Sequence, residues 1–143
     1  MKVNLVLDED IILDRIAKLE KYLLELREIK KLDYENFIIL RNFMATQHLL
    51  QLSIQICIDI GSHIISIKKL EKPETYFEIF EILNKEKLIS DNNTPKFIEM
   101  AKFRNILVHL YPDVDEKLVY QFVQNNLDDF NDFIKEIRTL LDK

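Results

Sequence analysis

Arg104, Asn105, His109 and Tyr111 fall within eight consecutive residues, Arg-Asn-Ile-Leu-Val-His-Leu-Tyr, and Pro112 follows at once. The segment gathers a permanent cation, an amide, an imidazole and a phenol. These are groups for phosphate chemistry. A guanidinium offers a planar fork of donors that matches phosphate oxygens. An imidazole titrates near neutral pH and can take or return a proton. Proline restricts the residue before it to extended conformations, so Tyr111 is pushed out of the helical region and His109 falls in a last helical turn.

Arg104 and His109 are five residues apart, about 140° around an ideal helix, whereas Asn105 and His109 are four apart and share a face. One regular helix therefore does not bring Arg104 and His109 to a single phosphate. The helix end can unwind near His109, or two copies of the segment can meet across a two-fold axis, each adding an Arg and a His to one cleft. With five Arg and three His in the chain, this spacing arises by chance in about one chain in ten. Judged on chemistry alone, Arg104 also fits an ion pair, His109 a C-terminal helix cap and Tyr111 an amphipathic lid over the helix end.

The elements that must position these groups read as helices. One Gly and three Pro in 143 residues leave too few turn formers for a sandwich or barrel. A first helix is expected from Asp8 to Lys31, with Ile12, Ile16, Leu19, Leu23 and Leu26 on one face. Asp33 then caps an unusually long second helix, from Tyr34 to Leu70, burying Phe37, Leu40, Met44, Leu52, Ile56, Ile60, Ile64 and Ile67. Gly61 inside it marks a close helix approach. A third helix spans Glu74 to Glu86, with Tyr76, Phe77, Phe80 and Leu83 inward. A fourth starts at Thr94-Pro95, Thr as cap and Pro in the first turn, and ends at His109 or Leu110. A fifth opens at Asp113, with Glu116 completing a capping box, and runs through Leu118, Phe122, Leu127, Phe130, Phe133, Ile134, Ile137 and Leu141. The expectation is an all-α, up-and-down bundle of about five helices with one long helix as its spine, a single domain over residues 1–143.

The lone Cys57, in an apolar run, reads as a small buried hydrophobe in a reducing, cytoplasmic protein. The acidic start does not suit a signal peptide, and no uninterrupted apolar run reaches the roughly 20 residues of a bilayer span. No His/Cys/Asp spacing suggests a metal, and none suggests a cofactor. The net charge is −5, against the basic balance usual for general nucleic-acid binders. Asp128, Asp129, Asp132, Glu136 and Asp142 of the last helix read as a solvated face. His48 reads as structural. Asp59 and His63, four apart, share a face and fit either a hydrogen bond near the Arg104 cleft or helix packing.

The string Arg104, Asn105, His109, Tyr111 at the end of a fourth helix resembles the HEPN superfamily. More narrowly it resembles the HepT-like toxins of the HepT/MntA (HEPN/minimal nucleotidyltransferase) toxin–antitoxin type. Gln51 to Ile65, with Asp59, Gly61 and His63, is similar to the family's second-helix signature. Pro73-Glu74-Thr75-Tyr76-Phe77 and Met100-Ala101-Lys102-Phe103 fit as well, so the likeness runs from about Asp8 to Leu141. It implies a HEPN-like bundle and a metal-independent endoribonuclease acting on RNA, tRNA or mRNA, that dimerises to build its cleft. Arg104, Asn105 and His109 are its implied catalytic residues, with Asp59 and His63 as possible supports. Tyr111 is the implied acceptor of AMP from a nucleotidyltransferase antitoxin. A second implied class is a non-catalytic helical subunit that recruits or regulates a nucleotidyltransferase.

Overall fold

The computed structural model describes residues 2–109 and 113–142, with side chains described from Asp8 onward. All its regular structure is helical: α1 (Lys2–Lys30), α2 (Tyr34–Phe37), α3 (Leu40–Ile67), α4 (Tyr76–Lys85), α5 (Thr94–His109) and α6 (Glu116–Leu141). α3 is the central element, packing on α1, α4, α5 and α6, while α1 also packs on α6 and α4 on α5. The expected all-α bundle with α3 as its spine holds, and α1 and α6 are comparably long, the three helices having 29, 28 and 26 residues. By length and composition α3 is apolar enough to cross a membrane, and half of its most apolar window is buried within the bundle.

The predicted face of α1 holds in full: Ile12, Ile16, Leu19, Leu23 and Leu26 are all buried. The long second helix does not. It breaks after Phe37 and restarts at Leu40. Asp33 caps the short α2 as expected, its carboxylate accepting from the Asn36 amide N–H at 2.9 Å. Ile39 is extended at the break, with φ −54° and ψ 131°. This changes the phase of the face, so Leu40 (70% exposed) and Met44 (46%) point outward, while Phe37, Ile56, Ile60 and Ile64 remain in the core.

Gly61 marks a close approach. A Cβ there would lie 2.6 Å from Ile79 Cγ2 of α4, far inside van der Waals contact. With no glycine at the helix ends, Lys69 and Lys87 adopt the left-handed conformation, at φ 54° and 59°. Each closes a Schellman motif: Leu70 N–H donates to Ile65 O and Lys69 N–H to Ser66 O, and the same pattern joins Leu88 to Leu83 and Lys87 to Asn84.

One helix start and two caps are corrected. α4 starts at Tyr76 rather than Glu74, because Thr75 Oγ1 accepts from Glu78 N–H at 3.3 Å. Thr94 lies within the first turn of α5 and its hydroxyl donates to Ser90 O at 2.7 Å. The cap of α6 is Asp115, accepting from Lys117 N–H at 2.9 Å, rather than Asp113. Buried Val114 sits between the two aspartates. α6 buries Phe122, Leu127, Phe130, Phe133, Ile134 and Ile137, but Leu118 is 38% exposed.

Nor is the acidic side of α6 simply solvated. Asp128 pairs with Arg27 of α1 at 3.0 Å and Asp132 with Lys96 of α5 at 3.1 Å. Glu136 accepts from Ser90 N–H, from Ser90 Oγ at 2.7 Å and from Asn93 Nδ2 at 3.1 Å.

Candidate active site

The candidate site lies in the second half of α5. α5 is held on one side by α4 and on the other by α6, where Phe103 stacks face to face on Phe122 with ring centroids 4.2 Å apart. That stack fixes the helix directly before Arg104. α5 is regular through His109, so the unwinding that would bring Arg104 and His109 together is not present up to that residue. Tyr111, the expected modification site, lies outside the described residues.

Arg104 is half-buried and Asn105 is half-buried beside it, while His109 is exposed in the last turn. The Arg104 guanidinium lies over the ring of Tyr76, 4.8 Å from its centroid. Its Nε is buried and has no hydrogen-bond partner among the described residues. Arg15, Arg27 and Arg138 each pair with a carboxylate, whereas no such ion pair holds Arg104 among the described residues. The ion-pair reading of Arg104 therefore has no support in the structure. His109 is the basic residue of the last turn of α5, where the unpaired carbonyls favour a cation.

Asp59 and His63 are engaged elsewhere. Asp59 accepts from Arg15 Nη1 at 3.4 Å and from Gln55 Nε2 at 2.9 Å, in an open groove of about 630 Å³ between α1 and α3. His63 Nε2 lies 3.0 Å from Asp8 Oδ1 at the start of the bundle. The hydrogen bonds and ion pairs of the described residues join neither of them to Arg104, nor to each other. His48, expected to be structural, is instead exposed. It lines an open groove of about 430 Å³ with Met44, Gln47, Gln51, Leu107 and Val108, next to the last turn of α5.

Sequence reasoning placed Tyr76 in the core and missed its contact with Arg104. The residue is 40% exposed. Its only signal was its place in the Pro73-to-Phe77 segment, which carries no spacing relation to Arg104. Among the described residues no group of three or more His, Cys, Asp or Glu side chains is arranged to hold a metal ion.

Comparison with known proteins bears on this arrangement. The family model described as ribonuclease HepT-like matches residues 12–137. A protein of Aphanizomenon flos-aquae named tRNA nuclease HepT is 30% identical over 92% of this chain and 90% of its own length. A protein of Shewanella oneidensis named mRNA nuclease HepT is 34% identical over 62% of this chain and 67% of its own. The solved structure of a tri-AMPylated Shewanella oneidensis HEPN toxin in complex with MNT antitoxin superposes with a TM-score of 0.82. It covers 91% of this chain and 98% of that chain at 28% identity.

Proposed function

The chain belongs to the HepT-like ribonuclease family, and on that premise we propose that it is the toxin of a toxin–antitoxin pair. In this reading it is a metal-independent endoribonuclease that works as a homodimer in the cytoplasm, one helical domain per copy, and is silenced by transfer of AMP to Tyr111. One observation carries the reading. In a chain of net charge −5, the Arg104 guanidinium faces an aromatic ring rather than a carboxylate, which leaves its charge available to an anion.

The chemistry follows from the groups. A proton acceptor takes the proton of an RNA 2′-hydroxyl, and that oxygen forms a bond to the adjacent phosphorus. The bond from phosphorus to the 5′-oxygen breaks, and a proton donor supplies the leaving oxygen. The products are a 2′,3′-cyclic phosphate and a 5′-hydroxyl. His109 is the acid and base, in line with general acid–base factors of about 10² to 10⁴. Arg104 faces the charge that builds on the phosphorane, and Asn105 orients the phosphate or the imidazole. The offset of about 140° between positions 104 and 109 on a regular helix supports a composite cleft. There one copy of His109 acts as base and the other as acid, on a phosphate held by Arg104. Asp59 and His63, occupied by Arg15, Gln55 and Asp8, are assigned no step.

Control needs a second protein. A nucleotidyltransferase antitoxin presents ATP to Tyr111. The phenol oxygen bonds to the α-phosphorus, pyrophosphate leaves, and the phenolic proton passes to solvent. The bulky anion on Tyr111, two residues from His109, then excludes RNA phosphate from the cleft.

The test is cleavage of a defined RNA by the purified protein, with 2′,3′-cyclic ends identified by mass. His109→Ala is expected to abolish cleavage and to relieve growth arrest on expression. Cleavage unchanged in both Arg104→Ala and His109→Ala overturns the reading. Co-expression with the nucleotidyltransferase is expected to add the mass of AMP to the wild type but not to Tyr111→Phe. The net charge of −5 favours one other reading, a non-catalytic subunit that recruits the nucleotidyltransferase. That reading gains if the wild type binds its partner yet cleaves no RNA.

A further inference from the structure

The geometry points to Tyr76 as the positioning residue of Arg104: its ring holds the guanidinium in place while leaving the charge and the outer donors free for a phosphate. The inference rests on the ribonuclease reading for its effect on rate, and on the stack alone for its effect on Arg104.

An arginine carries about 2 kcal/mol of rotamer entropy, so an unanchored one is a poor preorganised catalyst. Proteins usually anchor it with a carboxylate. That solution occupies the donor fork and neutralises the charge the reaction needs. Here the anchor is a π face, 4.8 Å from the guanidinium carbon. A ring attracts the cation through its quadrupole, roughly 0.5 to 2 kcal/mol depending on exposure, without accepting its hydrogen bonds. The state of the side chain agrees with this. Its Nε is buried and unpaired among the described residues, and the Nη nitrogens carry the remaining donors.

Tyr76 is itself well held. It is the first residue of α4, directly after the capping Thr75. The cap is reciprocal in form: Thr75 Oγ1 accepts from Glu78 N–H at 3.3 Å, and Glu78 Oε2 accepts from Glu74 N–H at 3.1 Å. A parallel contact lies alongside, with Lys102 Nζ 5.6 Å from the centroid of Phe77. Two successive residues of α4 thus present rings to two cations of α5. Because Tyr76 is 40% exposed, replacing it leaves the core intact.

The test compares Tyr76→Phe with Tyr76→Leu by two readouts. The first is the Nε–Hε NMR resonance of Arg104 in ¹⁵N-labelled protein, assigned by its loss in Arg104→Lys. A ring-current displacement is expected in the wild type and in Tyr76→Phe, and its collapse in Tyr76→Leu. The second is steady-state cleavage of an RNA oligonucleotide. Tyr76→Leu is expected to lower kcat about tenfold with KM within about twofold, while Tyr76→Phe stays near wild type, because the interaction is one of transition-state positioning. The melting temperature of each variant separates this from unfolding. Unchanged kcat in Tyr76→Leu overturns the inference, as does an equal loss in Tyr76→Phe, which would assign the effect to the hydroxyl. If the wild type cleaves no RNA, the ribonuclease reading fails, and the resonance then decides the anchoring by itself: an undisplaced Arg104 signal overturns it.

Discussion

The two ends of α5 are finished in opposite ways. Where the helix begins, Ser90, Asn93 and Thr94 are tied down by Glu136 and by one another, and Lys96 pairs with Asp132. Toward its end, Arg104 keeps a buried Nε without a partner among the described residues, Asn105 is half-buried beside it, and His109 is exposed. The start of the helix is thus tied down by several hydrogen bonds, whereas near its other end, among the described residues, Arg104 holds a buried donor with no partner. Orphaned buried donors are costly, about 1 to 3 kcal/mol each. That cost sits on the side chain whose outer donors the proposed chemistry uses, so the Arg104 end is the one to test as a site.

The largest expected effect tests the open end. Arg104→Ala and His109→Ala should each lower RNA cleavage at least about 100-fold, while their melting temperatures stay within about 3 °C of wild type. A stability loss matching the activity loss would erase the contrast. Glu136→Ala tests the closed end. It strands Ser90 N–H and two side-chain donors, so stability should fall by about 2 kcal/mol, or roughly 6 °C. Cleavage per folded molecule should remain within about twofold. Arg104→Met should show a smaller effect. It removes a desolvated N–H together with the stack on Tyr76, so the two changes offset and urea unfolding should give a stability within about 0.5 kcal/mol of wild type.

The smallest effect lies beside the tied-down end and concerns Asp129. Burial pushes its carboxyl above the ordinary range, although the Asn126 amide donates to it at 3.0 Å and Lys96 opposes the shift. Its folded value therefore exceeds its unfolded one. The folded state holds the extra proton between the two, and stability declines as pH rises through that window. Asp129→Asn should thus melt about 1 °C above wild type at pH 7, with the gap closing as the pH falls through that window toward the ordinary aspartate range. A gap that widens on acidification would reverse the sign of the assignment.

How much of this could be read from the chain differs by element. The α1 face was legible because Ile12, Ile16, Leu19, Leu23 and Leu26 repeat with helical period and every one is buried. Gly61 was legible because a helix-interior glycine needs a reason, and Ile79 is that reason. The break at Ile38 and Ile39 was not, since both residues are apolar and neither Gly nor Pro punctuates them. Asp113 was read as the start of the last helix because Glu116 lies three residues on, whereas the cap is Asp115. At the site, the residues were legible as a string through family resemblance, whereas their environment was not. The Tyr76 contact and the Glu136 clamp each join residues far apart in the chain. Local pattern holds no record of such pairings.

Cys57 has a consequence of a practical kind. It is the only cysteine of the chain, fully buried in α3, and burial pushes its thiol far above its ordinary range. A thiol reagent reaches it only when the bundle opens. The protein therefore carries its own stopwatch: the rate at which Cys57 becomes labelled times how often the core comes apart. The same trace, recorded as the proposed nucleotidyltransferase partner is added, reads whether binding quiets that breathing.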